Sequence, residues 1–478
     1  MTSPTTDSFA DLASILEGRL IAPGDDAYDA TRRVFLGDVD ARPAAIARVA
    51  NARDVARVVD FARTSGVELA VRAGGHSNAG QGTSDGGLVL DVRDLNGINL
   101  DPEGGTAWID AGLTALEVTT ATVAHGLAVG FGDTGSVGIA GLTLGGGIGY
   151  LTRKHGLTID SLLAAEIVTA DSELHLVDAT NDPDLFWAIR GGGGNFGVAT
   201  RFRYRLHDVR SVVGGMLVLP ATADTITGFI DAAEASPEEL SAIANVMPAP
   251  PMPFLPPDQV GRLVILALIV HVGDSEGGQR AMAPFRALTT PLADLLRPMG
   301  YQEIYPPEDP DYRPRAIQHT LFLDHVDRAT ATTIIDFLEA SDASLRATQL
   351  RVLGGAMARV PVDATAFAHR SRRVLAVLVN FYDGTPEDRA RRQRWVDDFA
   401  AAVDQRIVGA YVNFLGDEGA GRVRAAYPGP TWDRLVEVKR RYDPANLFRR
   451  NQNIAPDGGS EPPSSGSAGS HGGATWAG

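Results

Sequence analysis

Cysteine is missing from all 478 residues. That absence excludes disulfides, thiolate nucleophiles, cysteine-ligated zinc and iron–sulfur clusters. Lysine is nearly missing as well. Only Lys154 and Lys439 occur, and neither follows a glycine, so a phosphate loop of the GxxxxGK[ST] type is excluded. Excess positive charge is lacking too. With 43 basic and 59 acidic residues the net charge is −16, a field that repels phosphate backbones and predicts no nucleic-acid partner. Long apolar runs are absent: the longest, Leu263 to Val270, falls far short of the ~20 residues that span a bilayer. The opening MTSPTTDSFADL lacks the basic-then-apolar pattern of a signal peptide. No membrane association and a cytoplasmic location are therefore expected. Histidines in HExxH or HxH spacing are also missing, and His319 and His325 stand too far apart for one helical turn, so no metal site is expected.

What is abundant is glycine, with 53 residues. Three clusters stand out: RAGGHSNAGQG at 72–82, GFGDTGSVGIAGLTLGGGIG at 130–149 and GGGGNFG at 191–197. Two readings are open for them. They are tight turns of a loop-rich domain, or they are backbone wrapped around an extended anionic ligand. Without Cβ the chain approaches a pyrophosphate closely, and successive N–H groups form anion-binding nests. A nicotinamide-type Rossmann site is disfavoured, because no strand–glycine–helix unit ending in an acid is visible. Ser77 and Ser136 both miss the GxSxG pattern of serine hydrolases. Among the ten histidines only His76, inside a glycine loop, has unusual neighbours.

The apolar spacing predicts a helix across 44–64, short strands in ELAVR, LVLDV and TAWIDAG, and a helix LTALEVTTATVAHG stopped by Gly126. Glycine density argues against a helix interior anywhere in 130–149. A helix with proline at its start follows at PDLFWAIR. The middle of the chain has strands at 212–219, 263–272, 349–353 and 374–381, and helices near 224–235, 328–340 and 387–404. Proline-rich loops occupy 247–257 and 306–314. Strands and helices without strict βαβ alternation predict an α+β unit on a largely antiparallel sheet. Residues 457–478, with seven Gly, five Ser and two Pro, are expected to be disordered.

In order along the chain come Arg72-Ala73-Gly74-Gly75-His76-Ser77, the run Gly138–Gly149, Arg153-Lys154-His155-Gly156-Leu157 and the run Asp182–Gly197. Tyr411-Val412-Asn413-Phe414 and Tyr442–Phe448 follow, leading to Asn451-Gln452-Asn453-Ile454. This succession resembles the FAD-linked oxidases of the berberine-bridge-enzyme-like group, in the vanillyl-alcohol-oxidase (PCMH-type) superfamily. The resemblance implies an α+β fold of two domains. The flavin domain would comprise residues 1–209 completed by 411–456, and the substrate domain residues 210–410, its antiparallel sheet roofing the flavin ring. It also implies one covalent bond, from His76 to the flavin 8α-methyl.

Further cofactor contacts are implied for Arg72, Gly74, Gly75, Ser77, Asn78, Gln81 and Gly82 in the first loop. The second loop would contribute Asp133, Thr134, Ser136, Val137, Gly138, Gly141, Leu142, Gly146, Gly147 and Gly149. Val198, Asn413, Asn451 and Asn453 complete the implied set. Thr134 stands where doubly attached relatives carry cysteine, so a second bond is impossible. Val137 stands where a small valine admits dioxygen. Phe414 replaces the tyrosine that serves relatives as base, and a phenyl ring accepts no proton. The alternatives are Gln349 with Arg351 on one strand face, though neither is a good base, a tyrosine (Tyr150, Tyr411 or Tyr382), or, preferred, a substrate that loses its own proton readily; Asn413 is a further catalytic candidate.

The function so implied is oxidation of an alcohol, phenol, enol or amine of a small molecule by hydride transfer to flavin N5, with dioxygen reduced to hydrogen peroxide. The alternatives are an oxygenase or oxidative cyclase using an oxygenated flavin, and a non-catalytic flavin-binding protein. The expected partners are the small molecule and dioxygen, with the chain a monomer or homodimer. The setting this implies is the tailoring of a secondary metabolite, and arginine-over-lysine and alanine-rich usage points to a GC-rich bacterial source.

Overall fold

The computed structural model describes residues 6–459, so nearly all of the tail expected to be disordered lies outside the described residues. A small sheet opens the chain. Ala45–Arg48 and Leu69–Arg72 flank Leu88–Asp91 in parallel, and Arg19–Ile21 adds an antiparallel edge. The register sets both Arg48 and Arg72 opposite Asp91. Arg72 Nη2 donates to Asp91 Oδ2 at 2.6 Å, and both side chains are buried. The 73–82 loop leaves this sheet at the carboxyl ends of its parallel strands, the edge at which α/β sheets bind ligands.

The helix expected across 44–64 is two elements. Ile46 lies in the buried strand Ala45–Arg48, and the helix is Ala52–Ser65. Asn51 starts it, because its side chain accepts from the Asp54 amide, and Gly66 in the left-handed region ends it. The glycine-rich stretch also departs from expectation. Ile139–Leu144 forms a short helix with Gly141 inside it, since burial of Ile139, Leu142 and Leu144 outweighs the low helix propensity of glycine. The helix Ala115–Val123 closes its N-terminus with a Thr114/Glu117 capping box.

A second sheet is antiparallel, in the order Ile98–Asp101, Thr106–Asp110, Val198–Arg205, Leu162–Val168, Leu174–Asp178. The largest sheet has eight strands and is antiparallel throughout. Its central order is Val212–Pro220, Leu263–Val272, Leu240–Pro248, Arg346–Val352, Val374–Phe381, Ala316–Leu323. Two of these strands, Leu240–Pro248 and Ala316–Leu323, were not evident in the sequence, nor was the helix Ser275–Arg286. The helices Ala223–Ala235, Ser275–Arg286, Arg328–Ala340 and Pro386–Val403 cover one face and bury Leu350, Val352, Ala376 and Leu378. Strand alternation turns Gln349, Arg351 and Val377 to the opposite face. No helix among the described residues is long and apolar enough to cross a membrane.

The C-terminal segment is fastened by one buried cation. Lys439 Nζ donates to Asp443 Oδ2 at 2.7 Å, to the Asn195 carbonyl at 2.7 Å and to the Phe448 carbonyl at 2.9 Å. Asp443 in turn accepts the Leu447 and Phe448 amides. Burial lowers the Lys439 pKa, and the Asp443 carboxylate opposes that shift. Asp443→Ala would strand a buried ammonium, so urea denaturation should show a loss of about 3–5 kcal/mol.

A stacked histidine pair sits where the first region passes into the large sheet. The His155 and His207 rings lie 4.0 Å apart, and Ser161 Oγ is bonded to His207 Nε2 at 2.8 Å. Burial pushes His155 down to about 4 and His207 down to about 3, from an ordinary 6.5. Between those limits the unfolded chain binds protons that the folded one refuses, so stability falls as pH falls from 6.5 toward about 4. Urea midpoints at several pH values across this window should show that slope, and His155→Phe should lessen it by one histidine's share.

Candidate active site

A cavity of about 490 Å³ lies between the glycine loops and the uncovered face of the large sheet. The 72–82 loop and residues 132–144 form one side, and Gln318, Gln349, Arg351 and Val377 form the other. Residues 193–199, 411–415 and 448–452 complete the wall. The loops touch backbone to backbone. A Cβ on Gly74 would lie 2.3 Å from the Gly138 nitrogen, and one on Gly138 the same distance from the Gly74 nitrogen. Contact that close is open only to glycine.

Cavity-lining Gly141 and Gly194 face open space, with nothing within 4 Å of where a Cβ would sit. The amides of Gly74 to Ser77 find no acceptor among the described residues. A row of amides without acceptors in the fold, beside an open cradle, fits an extended anionic group such as a dinucleotide pyrophosphate.

His76 lines this cavity and is fixed from two sides. Phe35 stacks on its ring with centroids 4.2 Å apart, and Ser136 Oγ is bonded to Nε2 at 3.0 Å. Burial pushes its pKa down to about 4, against the pull of Glu308, so the imidazole is neutral at neutral pH. The opposite wall carries a polar chain. Arg351 Nη2 donates to Asp133 Oδ2 at 2.7 Å and its Nε to Gln349 Oε1 at 2.8 Å. Gln349 Nε2 passes the chain on to Asn245 Oδ1 at 2.8 Å. The guanidinium also lies 5.0 Å from the Phe414 ring centroid. Gln318 Nε2 donates to the Phe414 carbonyl at 2.6 Å, joining the sheet to the C-terminal wall.

Tyr411 is locked in place. Its hydroxyl accepts the Gly147 amide at 3.0 Å, the Ile148 amide at 3.2 Å and Asn413 Nδ2 at 3.0 Å. Burial raises its pKa, and these three donors oppose that shift. Asn413 Nδ2 also donates to the Leu142 carbonyl at 2.9 Å.

The structure gathers most of the expected residues onto this wall. Arg72, Gly74, Gly75, His76, Ser77, Asn78, Gln81 and Gly82 all line it, as do Asp133, Thr134, Val137, Gly138, Gly141 and Leu142. Val198, Gln349, Tyr411, Asn413 and Asn451 join them. Others stand back from it. Ser136 meets the site only through His76. The Gly146 position packs against Phe367 and Tyr411, Gly147 supports the Tyr411 hydroxyl, and a Cβ at Gly149 would strike the Phe131 carbonyl. Asn453 is not on the wall, and its Oδ1 is buried without a partner.

Tyr150 lies behind the wall in an apolar cluster with Val209, Val270 and Tyr301, where burial raises its pKa. Tyr382 donates to Asp38 at 2.5 Å, away from the cavity. Phe35, Gln318 and Arg450 line the cavity and were missed in the sequence, where only the alternation of AIQHTLFL could have marked Gln318.

Comparison with known proteins agrees with this geometry. Residues 43–178 match the FAD binding domain family, and residues 410–455 match the berberine and berberine-like family. The chain is 28% identical over 460 residues to (R)-6-hydroxynicotine oxidase of Paenarthrobacter nicotinovorans, covering 93% of this chain and 98% of that one. The solved 6-hydroxy-D-nicotine oxidase of Arthrobacter nicotinovorans superposes with a TM-score of 0.82 at 27% identity, over 92% of this chain and 98% of that one. This chain is a PCMH-type, berberine-bridge-enzyme-like FAD-linked oxidoreductase. Glucooligosaccharide oxidase of Acremonium strictum shares the fold, with a TM-score of 0.82 at 22% identity over 95% of this chain and 99% of that one.

The backbone contact at Gly74 makes a prediction for this oxidoreductase. A methyl group there forces the two loops apart, so Gly74→Ala should purify with an unchanged far-ultraviolet circular dichroism spectrum. It should also have lost most of its bound FAD by absorbance.

Proposed function

We propose that the protein is an oxidase that holds FAD through one covalent bond from His76 and oxidises a small molecule whose reacting group loses a proton readily, such as a phenol, enol or neutral amine. The observation that carries this reading is the pairing of a neutral, cavity-facing His76 with a cation–carboxylate pair, Arg351 and Asp133, across the same cavity. The bound flavin would supply the hydride acceptor and pass electrons to dioxygen. The chain's own residues supply the rest. Val377, Phe414 and the apolar side chains of the loops exclude water. Arg351, paired with Asp133 and only 6% exposed, stabilises an oxygen anion on the substrate.

Phe414 accepts no proton, and the Tyr411 hydroxyl is engaged with three donors. Asp133, at 2.7 Å from Arg351, is the carboxylate on the wall placed to take a proton that an acidic substrate gives up. Two relatives, an (R)-6-hydroxynicotine oxidase and a xylooligosaccharide oxidase, support the oxidase class.

A second reading, transfer of oxygen to the product, draws on one observation. Over 196 residues, 39% of this chain and 37% of the other, the chain is 39% identical to an FAD-dependent monooxygenase of Fusarium proliferatum. Labelled dioxygen separates the two: label in peroxide with none in product supports the oxidase, and label in product supports the oxygenase.

Acid precipitation should leave yellow colour with the polypeptide, and His76→Ala should release all its FAD to the supernatant. In a peroxide-release screen of phenols and amines, Asp133→Asn should retain flavin but lose roughly 10²-fold in kcat. Full activity in Asp133→Asn would remove the carboxylate from the reaction.

A further inference from the structure

Glu308 belongs to the proline-rich 306–314 loop, which meets the second glycine loop at Gly135 and Ser136 and sets Tyr312 against the Phe35 ring. Its Oε1 accepts the Gly135 amide at 2.9 Å and the Ser136 amide at 3.1 Å, while its Oε2 accepts the Ser136 hydroxyl. That last bond fixes a direction. An ionised carboxylate only accepts, so the Ser136 proton points at Glu308 and the Ser136 oxygen must accept from His76 Nε2–H. The imidazole therefore carries its proton on Nε2 and its lone pair on Nδ1. Phe35 holds the ring plane in that orientation.

We infer that Ser136 and Glu308 form a proton relay for covalent flavin attachment, selecting Nδ1 as the nucleophile and drawing the Nε2 proton away as the bond forms. The relay rests on the reading of His76 as the attachment residue. Attachment joins Nδ1 to the 8-methyl carbon of the flavin and breaks one methyl C–H bond. The Nε2 proton passes to Ser136 Oγ as the Ser136 proton passes to Glu308. The methyl carbon gives its proton to solvent and its C–H electron pair to the ring system, and dioxygen then takes that pair with two protons as hydrogen peroxide. Those two protons equal the one lost by the methyl group and the one passed to Glu308, which returns to its carboxylate. Without the relay, His76 would have to become cationic in a pocket that disfavours its charged form. Ser136 and Glu308 are positioning residues, since both act through His76.

The test uses purified full-length variants incubated with FAD in air, with covalent flavin followed over time by fluorescence on denaturing gels and total bound FAD by absorbance. Ser136→Ala and Glu308→Gln should bind FAD as the parent does, yet attach it roughly 10²-fold more slowly. Ser136→Thr, which keeps the hydroxyl, should restore the rate. Parent-like attachment in both slow variants, or loss of FAD binding together with attachment, would overturn the relay. So would failure of Ser136→Thr to restore the rate. An unlabelled parent, or labelled His76→Ala, would instead overturn the attachment reading.

Discussion

Everything in this molecule that concerns its cofactor depends on two stretches of backbone meeting with nothing between them. Gly74 and Gly138 bring the first and second loops to a separation at which any side chain on either collides with the opposing main chain. The contact is anchored beneath by the buried ion pair of Arg72 and Asp91, at the carboxyl edge of the parallel strands. A buried pair of this kind adds little net stability against an apolar alternative, but breaking it leaves an uncompensated charge. Its effect here is geometric. It fixes where the 73–82 loop departs, and hence where His76 stands.

The opposite wall solves a different problem. An antiparallel sheet with helices on one face leaves its other face free, and here that face is polar only at a few positions. Gln318, Gln349, Arg351 and Asn245 are among its polar positions, and Arg351 reaches across to Asp133 of the flavin-side loop. One ion pair thus joins the two halves of the site and sets charge beside the Phe414 ring. The Lys439 ammonium does the corresponding job at the far end, binding the Asn195 loop and the Phe448 carbonyl to the C-terminal helix Pro430–Tyr442.

Much of this was legible in the sequence, for identifiable reasons. Glycine clusters are expensive in conformational entropy, so their recurrence marks backbone under a special demand, and the loops at 72–82 and 130–149 do line the cavity. The α+β class and the antiparallel sheet followed from the strand and helix spacing. What failed was local. Ile46 and Val49 fit a helical period yet belong to a strand and its exit, because Asn51 caps the helix only afterwards. The Ile139–Leu144 helix was hidden by its glycine, and Tyr150 was indistinguishable from a site tyrosine until packing placed it behind the wall. Glu308 was invisible, since a carboxylate in a proline-rich loop reads as solvated surface until the fold lays it on Ser136.

The most direct test of the account is mass analysis of the proteolytic peptide that contains His76. The account predicts that this peptide carries the flavin mass on the imidazole and that no other peptide does. An unmodified His76 peptide from a protein that is yellow, with all of its FAD free, would contradict it.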